Sequence, residues 1–172
     1  MNYQYNYIME YLPKRYSATT KQKNDREIIY DFKNGYCSLG LINTIIEYIK
    51  EIKKELGGNN WRVCFIPAST HHKTACRYQN LAAFIEKETS IPSDYNTILP
   101  KPELITQHMA TGKTNPAEDF LFNKEQIEGK DIILIGDIIT TGTNFTKTSL
   151  KLAELGAKSV IGLFLAKTII TK

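Results

Sequence analysis

Apolar residues recur at helical spacing over residues 41–56, and charged residues fill the positions between them. Gly57 and Gly58 follow directly and end the pattern, as glycines commonly do after the last turn of a helix. The spacing predicts an amphipathic helix that packs one face against a core. The apolar positions of this helix are Leu41, Ile42, Ile45, Ile46, Ile49, Ile52 and Leu56.

Three shorter apolar runs, at 61–66, 132–135 and 159–166, have the length and composition of strands. The run at 132–135 is continuous rather than alternating, which is typical of a strand buried on both faces. Residues 75–85 have helical spacing, and 145–155 have helical composition and end at Gly156. The order of strand, loop, helix and strand predicts an α/β fold, an open and mostly parallel sheet with helices on both faces.

Between these elements, residues 90–130 have weak periodicity and contain several prolines. A connection of this length in a compact domain is usually a functional loop, so we expect little regular structure and a long mobile lid over roughly 96–125. We expect one domain over 1–172, with an N-terminal helical or hood-like part at 1–58 and a core at 61–172.

Composition narrows the function classes only slightly. The formal net charge of +4 is too small to favour a nucleic-acid partner, and the three cysteines have neither the spacing of a zinc ribbon nor an even count for disulfides. No apolar run is long enough for a signal peptide or a membrane span. We therefore expect a cytoplasmic protein that does not enter a membrane, and homo-oligomerisation stays open.

The residues that follow the buried strand have the chemistry of a phosphate site. Asp137 comes first, and a small, hydroxylated loop then precedes the helix. Such a loop offers backbone N–H groups, hydroxyls and the positive end of a helix dipole, while glycine permits close backbone approach. The alternative is an ordinary turn with Thr or Asn as the helix cap, which is equally compatible with the composition. The candidate phosphate ligands are Thr140, Thr141, Gly142, Thr143 and Asn144.

The stretch 136–144 resembles the signature of type I phosphoribosyltransferases, and 129–130 with 152–157 resembles the C-terminal half of ComF-type competence proteins. Looser matches are Phe32 with Lys33, the loop at Pro67, and residues 77–80. The N-terminal zinc ribbon of many ComF-type proteins has no counterpart here. The resemblance implies that Asp137 addresses the ribose or its developing positive charge, and that the 140–144 loop holds the 5-phosphate of phosphoribosyl pyrophosphate, which binds with Mg²⁺.

Gly136 departs from the family pattern, which has two adjacent acids at this point. One interpretation is a lost carboxylate; the other is a glycine required by the backbone or by a bulky neighbouring side chain. Asn144 also replaces the final Thr or Ser of the family loop, a milder change because an amide can still contact phosphate.

The resemblance also implies a pyrophosphate site formed by Ser69, Thr70, Lys73 and Arg77. The alternative for the two cations is that they are solvated charges on a helix face. Lys101, His108 and Lys113 are further candidate anion contacts in the lid, although an exposed charge is the simpler interpretation of each. His71 and His72 are adjacent and lack a third ligand at metal spacing, so no protein metal site is predicted.

Two functions follow from the resemblance. The first is a phosphoribosyltransferase of nucleotide metabolism that moves the phosphoribosyl group to an unidentified nitrogen acceptor. The second is a non-catalytic module that binds a phosphoribosyl compound or nucleotide for regulation or for competence (DNA uptake), which Gly136 favours. A plain α/β interaction domain is the remaining alternative.

Overall fold

The structure, a computed structural model, describes residues 3–102 and 115–170. The strands are β1 (Tyr5–Tyr11), β2 (Trp61–Phe65), β3 (Ile98–Pro100), β4 (Phe120–Phe122), β5 (Asp131–Ile139) and β6 (Ser159–Thr168). The helices are α1 (Thr20–Lys33), α2 (Leu39–Leu56), α3 (His71–Thr89), α4 (Pro116–Asp119), α5 (Lys124–Ile127) and α6 (Thr143–Glu154).

Four strands form one parallel sheet in the order β1-β6-β5-β2. The crossovers from β2 to β5 and from β5 to β6 each place a long helix against the sheet. A parallel connection must bring the chain back to the end of the sheet where the strands begin, and the helix does this. The carboxyl ends of all four strands therefore lie at the same end of the sheet. The predicted α/β class with a mostly parallel sheet is confirmed.

Alternate side chains of the central strands enter two separate cores. Ile133 and Ile135 of β5 pack with the apolar faces of α2 and α3, whereas Ile132 and Leu134 pack with α6 and the short elements around β3 and β4. A strand with apolar side chains on both faces has to be covered on both faces. This explains the continuous apolar run at 132–135 and confirms the prediction of helices on both sides of the sheet.

The chain between α3 and β5 is more regular than its sequence predicts. β3 and β4 pair as a small antiparallel ribbon, with Ile98 opposite Phe122, and α4 and α5 flank β4. The expectation of little regular structure over 90–130 is wrong for these residues, since three-residue strands are too short to show a periodic pattern. Residues 103–114 of the predicted lid lie outside the described residues, so the lid stays a prediction.

The N-terminal part contains two elements that periodicity does not reveal. β1 forms an edge of the main sheet beside β6, and α1 precedes the predicted helix α2. Tyr5 of β1 packs edge-on against Phe145 and Phe164. β1 thus extends the core sheet, and the hood-like role expected for 1–58 stays a prediction.

Arg26 of α1 holds the segment that follows β1 through hydrogen bonds to its backbone carbonyls. The side chain is buried; Nε donates to the Leu12 carbonyl, and Nη2 donates to the carbonyls of Pro13 and Tyr16 at 2.9 and 3.2 Å. A single guanidinium thus satisfies three carbonyls that α1 covers. This arrangement uses the fixed fork of N–H groups that arginine alone provides.

We expect Arg26→Ala to lower the free energy of unfolding by on the order of 3 kcal/mol, because three carbonyls lose a charged donor in a buried place. Urea denaturation measures the change. Lys23→Ala, an exposed position of the same helix, is the matched control and should stay within about 0.5 kcal/mol of the parent. Equal effects of the two substitutions would contradict the anchoring role.

Candidate functional site

A cavity of about 350 Å³ opens at the carboxyl ends of β2 and β5. In open α/β sheets, ligands bind at the carboxyl ends of the strands, because the loops that leave neighbouring parallel strands diverge there. The residues after β2 form one wall and those at the end of β5 form the other. The lining consists of Ile66, Pro67, Ala68, Ser69, Arg77, Phe120, Asp137, Ile138, Ile139, Thr140, Thr141, Gly142, Thr143, Asn144, Phe145 and Phe164.

The 140–144 loop, made of the five predicted phosphate ligands, lines this cavity and leads into α6. Gly142 caps α6 with φ of 79°, a left-handed conformation that side chains rarely adopt. No side chain caps this helix, whereas Thr19, Ser38 and Thr70 cap α1, α2 and α3. The N–H of Thr143 donates to Thr141 Oγ1 at 3.4 Å, a long contact, and the next N–H groups of the first turn of α6 are left for a ligand.

Hydroxyl groups add further donors beside these N–H groups. The Oγ1 atoms of Thr141 and Thr143 lie 3.0 Å apart, and Thr140 and Asn144 are also exposed. Backbone N–H groups at a helix N-terminus, with hydroxyls around them and a positive dipole end, suit a phosphate group. The loop has the geometry expected of a phosphate site, and its role as a ligand site stays a prediction.

Asp137 lies in β5 and lines the same cavity, with a quarter of its side chain exposed. Its Oδ1 accepts the N–H of Ile138 at 2.7 Å, while its Oδ2 lies 3.2 Å from Lys33 Nζ and 3.3 Å from Arg77 Nη1. The apolar run of the sequence ends at Ile135, but β5 continues to Ile139. Asp137 is therefore held by strand backbone, and both of its oxygens have partners.

Of the residues that contact the Asp137 carboxylate, Lys33 is the one that sequence reasoning did not assign to the site. It ends α1 and reaches Asp137 from a helix remote in the chain. Its only signal in the sequence is its place beside Phe32 in the looser ComF-type match. Periodicity contains no signal for such a contact, because Lys33 stands at an exposed position of a helix that the pattern does not predict.

The packing around residue 136 leaves no room for a side chain. A Cβ at this position would lie 2.6 Å from Phe164 Cε1, 2.9 Å from Phe164 Cδ1 and 3.2 Å from Ile66 Cδ1. Phe164 is itself buried and held by contacts with Tyr5 and Phe145. Of the two interpretations of Gly136, the structure favours the bulky neighbour, since the Phe164 ring fills the space that a side chain would take.

The predicted pyrophosphate residues are distributed unevenly around the cavity. Ser69 lines it, and Thr70 caps α3 by accepting the N–H of Lys73 at 3.1 Å. Arg77 lines it from the second turn of α3, but its guanidinium pairs with Asp137. Lys73 is exposed and does not line the cavity. Ser69 and Arg77 therefore line the cavity, and Thr70 and Lys73 do not.

The described residues contain no cluster of metal-ligating side chains, and Mg²⁺ bound together with a substrate stays a prediction. Residues 3–102 and 115–170 contain no group of three or more His, Cys, Asp or Glu side chains that could hold a metal ion. Mg²⁺ requires oxygen ligands of negative charge, and one or two carboxylates usually hold it together with substrate phosphates. The Asp137 carboxylate is the only one in the cavity lining and is already paired with two cations. Two positive charges against this one carboxylate disfavour a divalent cation beside it.

Two cysteines, Cys37 and Cys64, are held in the thiol form by burial. Burial raises the pKa of the Cys64 thiol to about 12 and that of Cys37 to about 11, so both stay protonated at neutral pH. Burial, and next the negative charge of Asp137, raise the pKa of Tyr78 beside Arg77. The cavity offers hydrogen bonds and charge for binding, and neither of these thiols supplies a nucleophile.

Two of the remaining candidates, Lys101 and His71, do not line this cavity. Lys101 follows β3 and donates its backbone N–H to the Asp119 carbonyl at 2.9 Å. His108 and Lys113 lie outside the described residues. His71 is exposed, with its Nε2 3.3 Å from Asn96 Oδ1. No helix in the described ranges is long and apolar enough to cross a membrane.

No protein-family model matches the chain, and no curated protein is similar to it in sequence. Solved phosphoribosyltransferase structures are similar in fold. Hypoxanthine phosphoribosyltransferase from Trypanosoma cruzi, solved as a mutant complexed with the product IMP, is 15% identical with a TM-score of 0.46, over 83% of this chain and 65% of that one. Hypoxanthine-guanine phosphoribosyltransferase from Bacillus anthracis is 13% identical with a TM-score of 0.46, over 86% and 73%.

A third similar structure is an allosteric regulatory enzyme of purine biosynthesis. It is 16% identical with a TM-score of 0.44, and the match covers 79% of this chain and 30% of that one. At such identities and TM-scores, these similarities concern the fold and carry no substrate or activity over to this chain.

Proposed function

We propose that the cavity binds a phosphoribosyl compound, with its 5-phosphate on the 140–144 loop. One observation carries this proposal: a helix N-terminus without a side-chain cap and a carboxylate with two cations face the same 350 Å³ cavity. The loop supplies donors for a phosphate at one end, and Asp137 supplies an acceptor for ribose hydroxyls.

The leading form of the proposal is transfer of the phosphoribosyl group from phosphoribosyl pyrophosphate to a nitrogen acceptor. The bond between ribose C1 and the pyrophosphate oxygen breaks, and its electron pair leaves with pyrophosphate. The lone pair of the acceptor nitrogen forms the new bond to C1, and the displaced N–H proton passes to solvent. Asp137 would face the positive charge that develops on the ribose, while Arg77 and Ser69 would hold the departing pyrophosphate.

A second candidate is a binding module without transferase activity, and two observations favour it. Gly136 has no room for a carboxylate, and Asp137 is engaged by Lys33 and Arg77. Such a module would recognise a phosphoribosyl compound for regulation or for competence. The ComF-type assignment, a cytoplasmic location and the oligomeric state stay predictions under either candidate.

Calorimetry with ribose 5-phosphate tests the binding proposal, with ribose as the control that lacks phosphate. We expect saturable binding of ribose 5-phosphate and none of ribose at the same concentration. Failure to bind ribose 5-phosphate at millimolar concentration would refute the proposal.

Transfer is tested separately with phosphoribosyl pyrophosphate and a panel of nucleobases and amines, with released pyrophosphate as the readout. Release that depends on one acceptor supports the transferase. Stoichiometric binding without release under every acceptor supports the binding module.

Asp137→Asn should weaken ribose 5-phosphate binding by on the order of 1.5–3 kcal/mol, because the ribose hydroxyls lose a charged acceptor. Inorganic phosphate, which has no ribose, should bind the variant and the parent equally well. Asp31→Asn, at an exposed position of α1, is the matched control. Unchanged ribose 5-phosphate affinity in Asp137→Asn, measured by calorimetry, would remove Asp137 from the ribose site.

A further inference from the structure

Lys33, Asp137 and Arg77 form a charge cluster at the cavity: Asp137 and Arg77 line it, and Lys33, which is outside the lining, lies against Asp137. Three different elements, α1, β5 and α3, each supply one member. Lys33 Nζ and Arg77 Nη1 lie 3.2 and 3.3 Å from the same oxygen, Asp137 Oδ2. The cluster therefore holds two positive charges on a single carboxylate oxygen.

The net charge of this cluster is positive, because the two cations exceed the one carboxylate. Arg77 and Asp137 are the charged residues of the cavity lining, so no other acid in that lining offsets the excess. Arg77 Nε is buried and has no hydrogen-bond partner among the described residues. The excess positive charge of the cluster suits an anion.

The two cations differ in mobility. Arg77 is 12% exposed, and its guanidinium lies over the Tyr78 ring, 5.7 Å from the centroid. Lys33 is 39% exposed and stands on a flexible four-carbon stem at the end of α1. Lys33 is therefore the partner that can leave Asp137 for a ligand at small cost, while Arg77 stays in place.

We infer that the cavity binds the diphosphate end of its ligand without a divalent cation, and that Lys33 and Arg77 supply the positive charge. This inference rests on the proposed function, because it assumes that the other end of the ligand is a 5-phosphate on the 140–144 loop. It departs from the Mg²⁺ that the sequence resemblance implies. The departure follows from the single carboxylate and its two cations, which repel a metal ion.

Asp137 has a definite role in this arrangement. In the free protein it pairs with the two cations, which would otherwise repel each other across this carboxylate. When a diphosphate arrives, its oxygens compete with Asp137 Oδ2 for Lys33, and charge-assisted hydrogen bonds to phosphate replace the ion pair. The freed carboxylate oxygen then faces the ribose.

Calorimetry of phosphoribosyl pyrophosphate in EDTA and in millimolar Mg²⁺ tests the inference. We expect dissociation constants within about threefold of each other, since the protein supplies the charge. Lys33→Gln should weaken phosphoribosyl pyrophosphate binding in EDTA at least tenfold and ribose 5-phosphate binding less than threefold. Lys33→Arg keeps the charge and should retain most of the affinity in EDTA.

Lys21→Gln is the matched control, because Lys21 lies on the same helix, is 81% exposed and pairs only with Asp25 among the described residues. It should leave both affinities unchanged. Melting temperature of each variant separates loss of binding from loss of fold.

The failures of the two proposals are distinguishable. Ribose 5-phosphate binding together with phosphoribosyl pyrophosphate binding only in Mg²⁺ would overturn the inference and leave the proposed function intact. An unchanged affinity of Lys33→Gln in EDTA would also overturn it. Absence of binding by both compounds in either buffer would refute the proposed function itself.

Discussion

Gly136→Asp should lower the free energy of unfolding by on the order of 3–5 kcal/mol, without improving the binding of any phosphoribosyl compound. The new Cβ would overlap the Phe164 ring at 2.6 Å, and the ring is fixed between neighbours. The carboxylate would also be placed among apolar atoms of Phe164 and Ile66. Urea denaturation and calorimetry with ribose 5-phosphate measure the two effects.

Gly40→Asp is the matched control for this substitution. Gly40 lies in the first turn of α2, where a negative charge interacts favourably with the helix dipole. A Cβ at this position would lie no closer than 4.0 Å to its nearest neighbour, Ser38 Oγ. We expect this control to be neutral or slightly stabilising. If Gly136→Asp retains full stability and binds phosphoribosyl pyrophosphate more tightly in Mg²⁺, the glycine marks a lost carboxylate instead.

A smaller substitution keeps the test informative if Gly136→Asp fails to fold. Gly136→Ala adds only the Cβ, and in a Phe164→Leu background the ring that it overlaps is gone. The cost of Gly136→Ala should then shrink by about 1 kcal/mol, which is a typical coupling for residues in contact. Additive effects would show that the ring is not what excludes a side chain.

The sequence predicts the central part of the fold well, and for a physical reason. A buried parallel strand needs apolar side chains on both faces, and an amphipathic helix needs them at helical spacing, so β5 and α2 are visible in the pattern. β1 alternates mostly tyrosine with polar residues and is only half buried at the sheet edge. Such a strand has a weaker apolar pattern than β5, and it depends on its pairing with β6.

The candidate site is predictable to the extent that it is local in sequence. The 140–144 loop follows a buried strand directly, so its position at the cavity comes from chain order alone. The ion pairs of Asp137 with Lys33 and Arg77 depend on how α1 and α3 lie against the sheet. The packing of Phe164 on Gly136 is likewise tertiary, because these residues stand opposite each other on paired strands.

We expect Gly142→Val to weaken ribose 5-phosphate binding at least tenfold, which corresponds to about 1.4 kcal/mol or more. A β-branched residue at φ of 79° is strongly disfavoured, so the turn would leave its left-handed conformation. The backbone at the start of α6, which lines the cavity, would then be displaced. Calorimetry measures the affinity, and the melting temperature reports the accompanying strain.

Gly142→Asn separates backbone conformation from side-chain bulk. Asparagine tolerates the left-handed region, and a Cβ at this position would lie 3.7 Å from Ile139 Cδ1, an ordinary contact. If the conformation of the turn is what binds phosphate, Asn should retain most of the affinity that Val loses. Equal losses in both variants would show that the phosphate approaches the glycine itself. Unchanged affinity in both variants would remove the 140–144 loop from the binding site.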